Sequence, residues 1–232
     1  MRQRAVDAVE MMDLPDCDPT KLELTYRQFG LVNRLFSGWR QLYRRELRPL
    51  LSHDTETTLL DIGCGGGDLA RQLALWSARD KLLLDVTGID PDPRAYNHAS
   101  RRPHHASVRF RQADSADLVR EGRWFDVVIS NHVIHHLQPG DLAQLLADSQ
   151  ALARRTSLHN DLRRNIAAYA LFSLAALPFR DSFIRADGLT SIRRSYTPQS
   201  SPPPLPGLAG GAPLPFPSSP HARSGPSRWL TW

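Results

Sequence analysis

The 232-residue sequence predicts a doubly wound α/β fold with a parallel sheet of about five strands. Two observations predict it. The first is the segment Leu59-Leu60-Asp61-Ile62-Gly63-Cys64-Gly65-Gly66-Gly67, which reads as the end of a buried strand and a glycine turn. Asp68 then opens a helix whose apolar residues recur at Leu69, Leu73 and Trp76. The second is a series of short apolar runs at residues 82–89, 108–111, 125–130 and 156–162, each ending at or near Asp or Asn. Helical stretches such as residues 142–153 separate them, the alternation that a parallel sheet needs.

Taken in order, residues 1–26 form a mixed polar leader containing Pro15 and Pro19, expected to be flexible. Over residues 27–51, apolar side chains recur at Phe29, Val32, Leu35, Phe36, Trp39, Leu42, Tyr43, Leu47 and Leu50, a helical period. This helix either covers the sheet or lies over the site as a lid, with Phe29 and Trp39 suited to an aromatic ligand. After the fifth strand, residues 163–198 form an insertion around an alanine-rich apolar helix, residues 166–177. That helix reads as a buried or lid element; a membrane-surface helix flanked by Arg163, Arg164 and Arg180 is the alternative. At 12 residues it is too short to span a bilayer, which takes about 20.

Composition narrows the classes. The two cysteines, Cys17 and Cys64, make no disulfide framework, and the first residues lack a signal-peptide pattern, so a cytoplasmic location is expected. The net charge of +5 suggests nucleic acid, but no acid follows Asp187 while Arg193, Arg194, Arg223 and Arg228 do. Without those four the balance is +1, so no nucleic-acid partner is expected.

A strand, a glycine turn and a helix N-terminus make a nucleotide-sized crevice, because glycine lets a ligand approach the backbone closely. A dinucleotide fingerprint needs glycine at the first, third and sixth loop positions. Counted from Gly63, the sixth is Asp68, so an NAD(P)-binding oxidoreductase is the weaker reading. Asp90, at the tip of the second strand, is placed to accept from a ribose diol, and Asp114 with Ser115 follows the third strand.

The series of residues 61–67, Asp90, Asp114 and residues 125–137 resembles the motif order of class I S-adenosylmethionine (SAM) methyltransferases. Its last part, Asn131-His132-Val133-Ile134-His135-His136-Leu137, is similar to the version in quinone-biosynthesis and small-molecule methylases. The resemblance covers about residues 27–198. It implies a Rossmann-like methyltransferase sheet with a helical N-terminal lid. It further implies that Asp61, Gly63, Cys64, Gly65 and Gly67 surround the methionine part of SAM. Asp90 and Pro91 would then flank the ribose, Asp114 and Ser115 the adenine, and Asn131 the inner edge. The expected reaction is methyl transfer to an oxygen or carbon of a small aromatic or lipophilic acceptor, yielding S-adenosyl-L-homocysteine. Tyr169, Phe172 and Phe183 would line the acceptor pocket. A protein that binds SAM without turnover is the alternative.

Transfer from a sulfonium requires positioning and, for an oxygen acceptor, removal of one proton. His135 is the candidate base because a free imidazole titrates near pH 6.5, with His132 and His136 behind it. No metal set is expected: adjacent His135 and His136 point apart on a strand-to-helix edge and no cysteine partners them.

The text changes at Gln199. Nine of the chain's 18 prolines fall between Pro202 and Pro226, with no acid and no lysine. Such a stretch cannot supply central strands. Either it is a proline-rich linker or it is a frameshifted tail. A chain with 27 arginines and two lysines comes from a GC-rich gene, which read out of frame yields Pro, Ala, Gly, Ser and Arg. The expectation is a disordered tail over residues 199–232, a sheet that stops at five strands without closing strands six and seven, and an exposed edge.

Overall fold

A computed structural model describes residues 3–103, 105–197 and 227–231. Asp18 caps the first helix, α1 (Pro19–Phe36), its carboxylate accepting from the Thr20 and Lys21 amides, with Pro19 at the first turn. The helix therefore starts well before the expected residue 27. Gly38 in the left-handed region (φ 65°) then ends it, and the chain resumes as α2 (Trp39–Leu42), a wider π-helical turn (Tyr43–Leu47) and a tight 3-10 turn (Arg48–Leu50). The single helix expected over residues 27–51 is thus broken at Gly38.

Strands and helices then alternate: β1 (Thr57–Ile62), α3 (Asp68–Arg79), β2 (Leu84–Asp90), α4 (Pro93–Arg101), β3 (Val108–Gln112), α5 (Ser115–Arg120), β4 (Phe125–Asn131), α6 (Pro139–Leu152) and β5 (Ala153–Asp161). The insertion carries α7 (Ile166–Ala175) and α8 (Ile184–Arg194). With a sixth strand, β6 (Ser227–Thr231), the strand order is β3-β2-β1-β4-β5-β6 and every strand pairing is parallel. The order reverses between β1 and β4, and the crevice outside the carboxyl ends of those strands is where doubly wound folds bind ligands.

Side chains alternate across the sheet, so neighbouring residues feed opposite layers. Leu59, Val127, Ile129 and Val86 pack with Trp39, Leu47, Leu69 and Leu73 on one face. Leu60, Ile62 and Val128 pack with Leu118, Ile134, Leu142 and Leu152 on the other. Both faces are covered, as a parallel sheet requires.

Two expectations are corrected. The sheet does not stop at five strands: β6 (Ser227–Thr231) lies parallel to β5, pairing Ser157 with Ser227 through Asp161 with Thr231. The segment Ser-Arg-Trp-Leu-Thr has no proline and favours extended backbone, and the β5 edge offers free backbone donors and acceptors. No seventh strand occurs among the described residues. The expectation for residues 199–226 lies outside the described residues. The leader, too, is docked rather than loose. The Ala5 amide donates to the Arg193 carbonyl at 3.0 Å, and the Arg4 guanidinium reaches the carbonyls of Arg194, His135 and Leu137. The Met11 and Met12 amides both donate to the Asp187 carboxylate. Among the described residues no helix is long and apolar enough to cross a membrane. Helix α7 nonetheless turns Ile166, Leu171 and Leu174 outward.

Candidate active site

A cavity of about 400 Å³ opens at the carboxyl ends of β1, β2 and β4, roofed by α1, the leader and α8. One end is acidic. Asp61 at the tip of β1 is 1% exposed, and neither of its oxygens has a hydrogen-bond partner. Burial, followed by the neighbouring Asp68 and Asp90, pushes its carboxyl well above the usual range. Asp68, the first residue of α3, is raised by burial as well, although it accepts from Asn33 Nδ2 at 2.8 Å. Asp90 accepts from the Gly65 and Asp92 amides, both at 2.9 Å, and burial still raises it. Asp61 thus stands unpartnered beside Asp68 and Asp90, an acidic wall suited to a cationic group.

The glycines shape this end in different ways. Gly65 (φ 52°) faces open space, so its missing side chain leaves room for a ligand. At Gly67 (φ 72°) a Cβ would fall 2.4 Å from the Phe110 ring; this glycine serves packing and does not line the cavity. Cys64 lines the wall, its buried thiol pushed up by desolvation and the nearby acids, which makes it a packing group rather than a nucleophile.

Asn131, at the end of β4, is held from two sides. Its Oδ1 accepts from Trp39 Nε1 at 2.7 Å and from Asn160 Nδ2 at 2.9 Å. Trp39 is therefore a buried positioning residue and not the ligand-facing aromatic expected of a lid.

Tyr26 lies over Gly66 at the acidic end, and the rest of the cavity combines apolar walls from Phe29, Val32, Phe172 and Ile184 with a histidine cluster. His135 is 1% exposed; its Nδ1 lies 2.7 Å from Asp161 Oδ1 and its Nε2 3.4 Å from Glu10 Oε1. Burial opposes its charge, but the Asp161 and Glu10 carboxylates outweigh it and raise the imidazole to about 10. Each ring nitrogen faces a carboxylate, an arrangement that favours the cation and leaves no nitrogen turned to an acceptor, which counts against the expected role of base. Glu10, His135 and His136 bring one potential ligand atom each within 4.8 Å of one another. A metal ion there would first have to displace the His135 proton from between its carboxylates. His132 is the contrasting case. It lines the cavity in a left-handed conformation (φ 57°), and burial lowers it to about 4, so it is neutral.

Of the residues singled out from sequence, the cavity lining brings together Asp61, Gly63, Cys64, Gly65, Asp90, Pro91, Asn131 and His135. Asp114 and Ser115 lie elsewhere. Asp114 caps α5, accepting from the Asp117 amide in a reciprocal capping box, and Ser115 Oγ donates to Asp148. Phe172 lines the cavity, whereas Phe183 packs beneath Leu22 and Tyr26, and Tyr169 lines a different hollow. Sequence reasoning missed Glu10, Asn33 and Asp187, which only chain folding brings here. Asp68 was legible as a helix opener but not as part of an acidic wall.

Residues 59–156 match the family model described as a methyltransferase domain. Residues 59–156 are therefore similar to a methyltransferase domain. A ubiquinone biosynthesis O-methyltransferase of Azorhizobium caulinodans is 32% identical over 134 residues, 57% of this chain and 49% of that protein. An uncharacterized methyltransferase of Mycobacterium bovis is 37% identical over 82 residues, 34% of this chain and 38% of that protein. The chain thus spans half or less of the length of these relatives. Among solved structures, a plantazolicin methyltransferase in complex with S-adenosylhomocysteine shares the fold. Its TM-score is 0.54 at 20% identity, over 82% of this chain and 68% of that one. The crevice that ends β1 and β2 holds an orphaned buried carboxyl, Asp61, and this fits a cofactor such as SAM, which carries an ammonium and a sulfonium.

Proposed function

We propose that the protein transfers the methyl group of SAM to an oxygen or carbon of a small aromatic or lipophilic acceptor. The observation that carries this reading is one cavity whose acidic end holds the unpartnered Asp61 and whose remaining walls are aromatic and aliphatic. SAM, when bound, supplies a methyl group already activated by the sulfonium. Asp61 would hold the cationic methionine end, Gly65 would leave it room, and Asp90 with Pro91 would bound the ribose. Asp114 and Ser115 drop out of the proposal because neither lines the cavity: Asp114 caps α5 and Ser115 ties α5 to Asp148 on α6. Asn131, fixed by Trp39 and Asn160, would set the floor between donor and acceptor.

For an oxygen acceptor, His132 replaces His135 as the proposed base. It is neutral and lines the cavity; burial and the neighbouring His135 and His136 oppose the charge it would gain, and Asp161 and Glu10 favour it. His135, locked between Asp161 and Glu10, would position the loop and keep the acceptor end polar. Phe29, Val32 and Phe172 would exclude water and select a flat or greasy acceptor. The two cysteines, both unpaired, fit a cytoplasmic location.

Calorimetry with S-adenosylhomocysteine, followed by transfer of labelled methyl from SAM to a panel of phenols and quinols, tests the reading. Binding and label transfer to an apolar aromatic acceptor are expected. Binding with no transfer across the panel would instead support a SAM-binding protein without turnover, and no binding at millimolar cofactor would sink both.

A further inference from the structure

Away from that cavity, a second hollow of about 320 Å³ opens where the leader crosses the start of the insertion, lined by Gln3, Ala5, Arg164, Tyr169 and Arg193. Arg164 is 7% exposed, and its Nε and Nη1 are buried with no hydrogen-bond partner. The neighbouring guanidiniums do not compete for the space. Arg4 spends its donors on the carbonyls of Arg194, His135 and Leu137, and Arg194 Nη2 donates to the His136 carbonyl. Burial lowers Arg4 from the usual guanidinium range, and the adjacent Arg194 and Arg164 lower it further. Positive charge is therefore concentrated here.

Among the described residues no carboxylate lines the hollow. Asp161, three residues before Arg164, is committed to His135 and to the His135 and Leu162 amides. Nor can a side chain outside the described residues supply the missing charge: positions 1, 2, 104, 198–226 and 232 contain no Asp or Glu. A guanidinium is always protonated and is strongly disfavoured when buried unpaired. Its fork of N–H donors matches the oxygens of a phosphate or carboxylate.

We propose that this hollow binds an oxyanion, a phosphate or carboxylate group of a small molecule, with Arg164 as its buried anchor and Arg193 and Gln3 at its rim. The site is separate from the cofactor cavity and stands whether or not methyl transfer does.

Thermal melts of the full chain in inorganic phosphate or citrate, against chloride at equal ionic strength, test it. A saturable rise in Tm with phosphate identifies a phosphate site, and one with citrate alone a carboxylate site. Arg164→Met should weaken the apparent anion affinity at least tenfold and yet melt higher than the parent protein in chloride, because an unpaired buried charge is gone. Arg193→Gln should weaken it severalfold without changing S-adenosylhomocysteine affinity, and serves if Arg164→Met does not fold. Absence of a saturable response to either anion would overturn the proposal. So would a response kept intact in Arg164→Met, or in Arg193→Gln where Arg164→Met does not fold.

Discussion

Asp61→Asn should make the protein more stable and its cofactor binding worse at the same time. Asp61 is 1% exposed, both its oxygens lack partners, and Asp68 and Asp90 oppose its charge. Without a ligand the fold thus buries an unsatisfied carboxyl, and an unsatisfied buried polar group costs roughly 1–3 kcal/mol. The amide still lacks partners but never takes the charge that burial disfavours, so the part recovered is about 1 kcal/mol. For a chain of this length that corresponds to a rise in Tm of roughly 2–4 °C. With cofactor present the sign reverses, because a charge-assisted hydrogen bond to the ammonium is lost. Such a bond contributes roughly 1.5–3 kcal/mol, or about a 10- to 150-fold rise in Kd for S-adenosylhomocysteine. Differential scanning fluorimetry of the free protein and calorimetry with S-adenosylhomocysteine read the two effects separately. A variant that melts lower than the parent, or that keeps Kd within twofold, would refute the assignment of Asp61 to the cationic end.

The other predictions concern the far end of the cavity and the glycine turn. His135 has its folded value raised to about 10 from 6.5, so its ion pairs stabilise the fold fully below about pH 6.5, and this contribution is lost as pH rises through about 10. The Tm difference between the parent protein and His135→Gln should therefore be largest below pH 6.5 and shrink towards pH 10; a difference independent of pH would contradict the paired imidazolium. His132→Asn keeps a residue that tolerates left-handed backbone (φ 57°) while removing the base. For an oxygen acceptor, kcat should fall about 10²- to 10⁴-fold with S-adenosylhomocysteine affinity unchanged, and an unchanged kcat would point to carbon methylation or another base. Gly67→Ala places a Cβ 2.4 Å from the Phe110 ring in a left-handed turn and should cost roughly 1–3 kcal/mol in urea unfolding, whereas Gly65→Ala, facing open space, should cost less and act on cofactor affinity.

The sequence by itself determined the parts of this protein whose cause is local. Alternating apolar runs and helical stretches are read over a few residues, so the five strands β1 to β5, all parallel, were legible before folding. So was the turn around Gly63, Gly65 and Gly67, because a left-handed backbone demands glycine wherever it lies. Tertiary structure decided what depends on neighbours distant in the chain. His135 looked like a base until burial set it between Asp161 and Glu10, residues 26 and 125 positions away, and turned it into a fixed cation. Asp114 looked like a ligand for adenine, but the reach of its side chain to the Asp117 amide makes it a cap. The leader looked loose because its polarity gave no periodic signal, yet the Asp187 carboxylate and the carbonyls around α8 satisfy its donors. Charge and hydrogen bonding act through space, and the partner that fixes a polar side chain leaves no mark in the pattern of its own segment.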